Sequence, residues 1–220
     1  MARTGRPREF DKDAAIDRAM LLFWEHGYEA TSLAQLKAAM GDVSTASFYA
    51  AFGSKEALFR TVLGRYLDTH GRVMAVLRDD SLAPRDAIEQ AFRQSAAMQT
   101  NVDHPPGCLV VLATTTASLE NRHLQTLLAK ERGRNRTALR ALVDRAVAAG
   151  ELREDTPAGA LAAMYDTFLV GLATQARDGV PFATLDAAVT EIMLVWDRCA
   201  ADKPARNPRP RQRTKARAGI

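Results

Sequence analysis

The chain has 220 residues, of which 47% are hydrophobic and 25% charged, enough apolar material for a sizeable core. No apolar run reaches the roughly 18 residues of a membrane-spanning helix, and Cys108 and Cys199 are the only cysteines, so a helical membrane span and a disulfide framework are both excluded. The formal charge of +4 is uneven: seven of the 30 Lys and Arg residues fall in 203–220 with no acid, which leaves 23 basic against 26 acidic residues, or −3, for the rest.

The high pI is thus a property of one tail and does not by itself make the body a nucleic-acid binder. Residues 1–9 read as a flexible basic arm with Arg3, Arg6 and Arg8 around Gly5 and Pro7. No apolar stretch follows directly, so no secretory signal is expected and a reducing cytoplasm is the expected compartment. A first helix is expected over 11–26, with Ile16, Ala19, Met20 and Phe23 on one face and Gly27 as its stop. Thr31 or Ser32 caps a second, carrying Leu33, Leu36 and Met40. Gly41-Asp42-Val43 breaks it. Ser44 or Thr45 opens a short third helix with Phe48 and Phe52 four apart, ended by Gly53. Ser54-Lys55-Glu56 opens a fourth, with Leu58, Val62, Leu63, Tyr66 and Leu67.

Pro84 suits the first turn of a fifth helix reaching about residue 99. Residues 101–106 form a loop, since Pro105-Pro106 cannot continue a helix. The apolar run 107–119 leaves strand open on periodicity alone, and its helical surroundings favour a sixth helix. Residues 121–149 form a long charged seventh. The eighth starts at Pro157, and the ninth, after Asp178-Gly179-Val180-Pro181, carries Leu185, Val189, Ile192 and Trp196. The expectation is an all-α chain of about nine helices. Three prolines among the basic residues of 203–220 read as a disordered tail, a source of non-specific DNA affinity or only of solubility.

Two short helices joined by a tight turn at Gly41 form a helix-turn-helix candidate. Leu33, Leu36 and Met40 pack on Val43, Phe48 and Phe52. Thr45, Ala46, Ser47, Tyr49 and Ala50 then face outward, small or polar as entry into a major groove requires. Beyond this pattern, residues 10–60 resemble the DNA-binding domain of TetR-type (tetracycline-repressor-like) transcriptional regulators. The resemblance rests on Ala19 to Phe23, Gly27 to Ser32, and the string Ser44-Thr45-Ala46-Ser47-Phe48-Tyr49-Ala50-Ala51-Phe52-Gly53-Ser54-Lys55-Glu56-Ala57-Leu58. One departure is Asp42, which lengthens the turn by a residue and bears on the angle of the third helix. Residues 61–202 resemble the family in length and helix count.

The resemblance implies a division into the arm 1–9, a helix-turn-helix domain 10–55, an effector-binding and dimerisation domain 56–202, and the tail 203–220. It implies DNA contacts by Arg3 and Arg6 in the arm, by Thr31 at the second helix, by Ser44, Thr45, Ala46, Ser47, Tyr49 and Ala50 on the recognition helix, and by Lys55. Phosphate contacts position such a domain and base contacts specify sequence. With no Arg, Gln or Asn on that face, methyl groups, hydroxyls and DNA shape are expected to carry specificity. A homodimer through the last two long helices, a near-palindromic operator and release by a small molecule complete the reading.

Phe92, Cys108, Leu112, Thr115, Thr116, Met164, Tyr165 and Phe168 are expected to line a mainly apolar effector pocket, although each is also a plausible core residue. Arg132, Arg134 and Arg136 add the possibility of an inward cation that selects an anion. The rivals are a helical small-molecule-binding protein without operator binding and a helical enzyme. The enzyme is disfavoured: His26, His70, His104 and His123 have no metal spacing, and no phosphate loop or nucleophile motif occurs. No metal or cofactor is expected. Cys108 reads as a small buried hydrophobe rather than a redox sensor, lacking a basic neighbour in sequence.

Overall fold

The computed structural model describes residues 10–113 and 118–201. Among these the chain forms nine α-helices and one 3₁₀ helix, and no strand beyond a single bridge between Leu152 and Ala200. Helix α1 (Lys12–Ala30) starts where the Asp11 carboxylate accepts the Ala14 N–H at 3.0 Å. Its regular path gives out at Gly27, whose φ of +78° is open to glycine at little cost. Helices α2 (Leu33–Ala39), α3 (Thr45–Phe52) and α4 (Lys55–Asp68) follow, capped by Ser32, Ser44 and Ser54.

Ile16, Met20, Phe23 and Trp24 of α1 bury against Leu36, Phe48, Leu58, Phe59, Val62 and Tyr66 in one apolar cluster. Leu109, Val110, Leu124 and Leu128 from later in the chain join it. The expected domain boundary at residue 55 therefore cuts through a core that runs to Tyr66, because α4 packs back onto α1.

A 3₁₀ helix (His70–Arg78) follows α4 and has no counterpart among the expected elements. It buries only Leu77, so it lacks the repeating apolar stripe that marks a helix in sequence. Helix α5 (Pro84–Gln99) carries Pro84 in its first turn. Of the expected sixth helix over 107–119, the described residues form a single turn, α6 (Leu109–Leu112). The carbonyl of Ala113 accepts the Tyr28 N–H of α1 at 3.0 Å and so serves a tertiary contact rather than a helical ladder. Helices α7 (Arg122–Ala148), α8 (Ala158–Arg177) and α9 (Phe182–Cys199) complete the chain. They form a second core with α5, around Phe92, Leu139, Val143, Tyr165, Leu172, Val189 and Trp196.

Ion pairs tie α5 to α9. Arg85 pairs with Asp197 at 2.8 Å and Arg93 with Asp186 at 2.6 Å, while Glu89 lies between the two arginines. Burial pushes the Glu89 carboxyl up, but the two guanidiniums more than offset it and hold it below the ordinary range. The Arg85 hydrogen bond does the same to Asp197. A carboxyl lowered on folding stabilises fully above its unfolded value, about 4, and loses that contribution as pH falls through its folded value. Stability is therefore expected to decline on acidification below about pH 4. Glu89→Gln should flatten that decline in urea titrations between neutral and acidic pH. A decline as steep as wild type would show that the network carries none of the acid sensitivity.

Candidate nucleic-acid interface and internal cavity

The hydroxyl of Ser32 accepts the Gln35 N–H at 3.1 Å, and the Gln35 side chain accepts the Ser32 N–H at 2.7 Å. This capping box begins α2. Thr31 is displaced from the role expected of it. It is 0% exposed and its hydroxyl donates to the carbonyls of Gly27 at 2.7 Å and Leu22 at 3.3 Å. It closes the broken end of α1 and is removed from the candidate DNA contacts.

The turn between α2 and α3 is made by two consecutive left-handed residues, Gly41 at φ +88° and Asp42 at φ +58°. Asp tolerates that conformation better than most residues. Val43 donates its N–H to the Lys37 carbonyl at 3.3 Å and packs against the core, so the added residue is absorbed locally. In α3, Phe48 and Phe52 point inward, while Ser44, Thr45, Ala46, Ser47, Tyr49 and Ala50 are all exposed. Tyr49 is 48% exposed with its ring edge-on to Phe48. The Ser44 hydroxyl accepts the Ser47 N–H at 3.0 Å, and the Lys37 ammonium donates to the Thr45 hydroxyl at 2.8 Å. Lys37 brings a positive charge to the start of α3. Sequence reading missed it because it lies on the other helix and arrives through the turn.

Lys55 is half-buried at the start of α4. Its ammonium stands 4.3 Å above the Tyr28 ring, where burial pulls its pKa down against the pull of Glu29. It is placed by an aromatic face, with a cation–π contact of about 1 kcal/mol. Arg3 and Arg6 lie outside the described residues, as does the basic tail.

A cavity of about 720 Å³ opens between α4, the 3₁₀ helix, α5, α7 and α8. It fits a small organic molecule by size. Its apolar wall includes Met74, Met98, Val111, Leu169 and Val170. Of the eight residues expected to line a pocket, Cys108 does. Phe92 and Tyr165 are 0% exposed core residues, and Phe168 packs edge-on against Phe92 at 5.2 Å. Met164 packs against the same core. These four form or flank the second core because α8 turns that face to α5 and its opposite edge to the cavity. Leu112 lies off the cavity wall. Thr115 and Thr116 lie outside the described residues.

The Tyr66 hydroxyl donates to the Cys108 thiol at 3.3 Å, and burial pushes that thiol above its ordinary pKa. Arg132 and Arg134, two of the three arginines singled out in the sequence, line the cavity. Arg136 instead pairs with Asp166 at 2.8 Å.

Helix α4 begins at Lys55, next to the end of α3, and reaches the cavity wall at Tyr66, Leu67 and Asp68. Arg177 joins the two cores. Arg177 of α8 donates to the Trp24 carbonyl at 2.6 Å and pairs with Glu25 at 3.1 Å. The Glu29 carboxylate accepts the Ser118 N–H at 2.9 Å and the Asn121 amide at 2.8 Å, which hold it below its ordinary pKa.

Comparison with known proteins places this geometry. Residues 15–62 match the family model of bacterial regulatory proteins of the tetR family. Residues 83–181 match the tetracyclin repressor-like C-terminal domain. The chain is 34% identical over 193 residues, 87% of its length and 91% of the relative's, to the HTH-type transcriptional repressor ComR of Escherichia coli strain K12. It is 36% identical over 108 residues to the HTH-type transcriptional repressor BdcR of the same strain, covering 49% of this chain and 54% of that one. Among solved structures it is similar to a cysteine mutant of the TetR family transcriptional regulator CifR complexed with 26bp double-strand operator DNA. Identity is 43%, the TM-score is 0.79, and the match covers 87% of this chain and 100% of that one.

Proposed function

The chain belongs to the TetR family of DNA-binding transcriptional regulators, and from that premise we propose that it is a repressor, dimeric on a near-palindromic operator and released by a small molecule. The observation that carries this reading is the wholly exposed outer face of α3, held on the same helix α4 that walls the cavity. Ser44, Thr45, Ala46, Ser47, Tyr49 and Ala50 face the operator, Lys37 and Lys55 serve its phosphates, and Arg3 and Arg6 follow the flanking groove. CifR, 43% identical to this chain, is bound to operator DNA in its solved structure, which supports operator binding here.

A molecule in the cavity presses on Tyr66 and the 3₁₀ helix. Helix α4, with 14 residues and a length of about 21 Å, carries that displacement to α3. An affinity difference of about 3 kcal/mol between the two states of α4 shifts DNA binding on the order of a hundredfold. A fluorescence-anisotropy titration with DNA flanking the chain's own gene tests the reading. Flanking DNA bound no more tightly than random DNA would exclude an operator there.

The outer face of α8 and α9 supports dimerisation. Ala160, Ala163 and Thr167 of α8 and Ala187 and Leu194 of α9 are small or apolar residues on that face, Leu194 being 38% exposed. Two such pairs form a four-helix contact. Leu194→Arg is expected to leave the monomer folded and to break the dimer, read by light scattering. A variant that remains dimeric would place the contact elsewhere.

A further inference from the structure

The cavity carries two polar groups that the fold leaves unfinished. The first is Gln99 at the end of α5. It is 3% exposed, it lines the cavity, and its Oε1 has no hydrogen-bond donor among the described residues. An orphaned buried amide oxygen costs about 1–3 kcal/mol; Oε1 is itself fully buried, so an occupant recovers that cost by donating to it once the side chain turns toward the cavity.

The second is Arg132 of α7. Its Nη1 donates to the Val110 carbonyl at 2.6 Å, and the guanidinium makes no ion pair among the described residues. The acids on the same wall are otherwise engaged. Glu131 pairs with Arg134 at 2.8 Å, and Asp166 with Arg136 at 2.8 Å. Arg78, also on the wall, donates to the Met74 carbonyl and the Asn135 amide and meets no acid among the described residues. Setting paired charges aside, the wall keeps Arg72, Arg78 and Arg132 against Asp68 alone. It is electropositive, with a half-buried guanidinium whose free N–H groups suit a carboxylate.

We propose that the cavity takes an amphipathic carboxylate that also bears a hydroxyl, its acid group on Arg132, its hydroxyl on Gln99, and its hydrocarbon part along Met98, Val111 and Leu169. This names the effector class for the cavity and rests on the regulatory reading above. A hydroxyl suits Gln99 in either orientation of its amide, since it donates to Oε1 and accepts from Nε2.

The test uses the full chain and six probes: decanoate, its 2-, 3- and 10-hydroxy derivatives, decan-1-ol and decylamine. Binding is read by isothermal titration calorimetry, and operator release by anisotropy. Decanoate is expected to bind about tenfold or more tightly than decan-1-ol, as a charge-assisted hydrogen bond provides. Decylamine is expected to bind weakest, and at least one hydroxy acid to exceed decanoate. Arg132→Gln removes the preference for acid over alcohol, and Arg132→Lys restores part of it. Gln99→Leu removes the advantage of the hydroxy acid and spares decanoate binding. Circular-dichroism melts of each variant confirm folding.

The proposal is overturned if decan-1-ol or decylamine binds as tightly as decanoate, if no acid binds, or if folded Arg132→Gln keeps the acid preference. Release of operator by the neutral or cationic probe would sink the ligand class and keep the regulatory reading. Binding of the acids with no effect on operator affinity would sustain the ligand class and sink the regulatory reading.

Discussion

Ala46→Glu is expected to cut operator affinity about a hundredfold or more, because it sets a carboxylate against phosphates where like charges cost several kcal/mol. Folding is expected to survive unchanged or slightly improved. Ala46 is exposed in the first turn of α3, so the new side chain displaces nothing. An acid there also favours the helix dipole by about 0.3–1 kcal/mol. The two effects have opposite signs, which separates a DNA-contact role from a structural one. Ala46→Gln adds similar bulk without charge and should lose far less affinity. Anisotropy titrations at two salt concentrations, with melts alongside, read both quantities. Equal operator affinity for Ala46→Glu and wild type would remove this face of α3 from the interface. Tyr49→Phe takes away one exposed hydroxyl and is expected to cost about 1 kcal/mol.

The N-terminal helices are legible in sequence because their signals are local. The candidates Thr31 or Ser32, Ser44 or Thr45, and Ser54 precede apolar runs, and Ser32, Ser44 and Ser54 are the ones that cap α2, α3 and α4. The exposed set on α3 follows from Phe48 and Phe52 pointing the other way. The failures are tertiary. Thr31 and Ser32 are equivalent capping residues in sequence, and only the break of α1 at Gly27 gives Thr31 carbonyls to bind and buries it. The helical reading of 107–119 rests on its surroundings, but the Ala113 carbonyl is taken by Tyr28 from far upstream. Three of the eight residues in the pocket expectation, Phe92, Tyr165 and Phe168, are aromatic, and aromatic side chains are what a core buries first. The cavity lies on the other side of α8, next to Arg132, one of three arginines the sequence left as candidates, and Gln99, whose polarity disguises it as surface. An amide oxygen and a guanidinium without partners among the described residues show themselves only after their surroundings are known.

Gly107→Ala is the second large expected effect, and it bears on the cavity rather than on DNA. Gly107 holds φ at +85°, a left-handed value that costs alanine about 1–2 kcal/mol. Space is the harder limit. An added Cβ would lie 2.6 Å from Leu112 Cδ1 and 2.8 Å from the Ala173 carbonyl oxygen. The leucine tip has room to turn, but the carbonyl belongs to the backbone of α8. The turn must move, and with it two anchored neighbours: the Gly107 N–H donates to the Gln99 carbonyl at 2.9 Å, and Cys108 stands on the cavity wall. Strain and clash together are expected to cost roughly 2–4 kcal/mol, a fall in Tm of about 5–15 °C for a chain of this size. Gly150 provides the comparison. Its φ is +71°, but nothing lies within 4 Å of an added Cβ. Gly150→Ala carries the backbone strain alone and is expected to lower Tm by only about 2–6 °C. Below its melting point Gly107→Ala should bind operator as wild type does, since α3 is remote from the turn, while its affinity for a cavity ligand falls. If Gly107→Ala melts no lower than Gly150→Ala, the turn is not locked against α8. The cavity wall beside Gln99 would then be free to move without disturbing the second core.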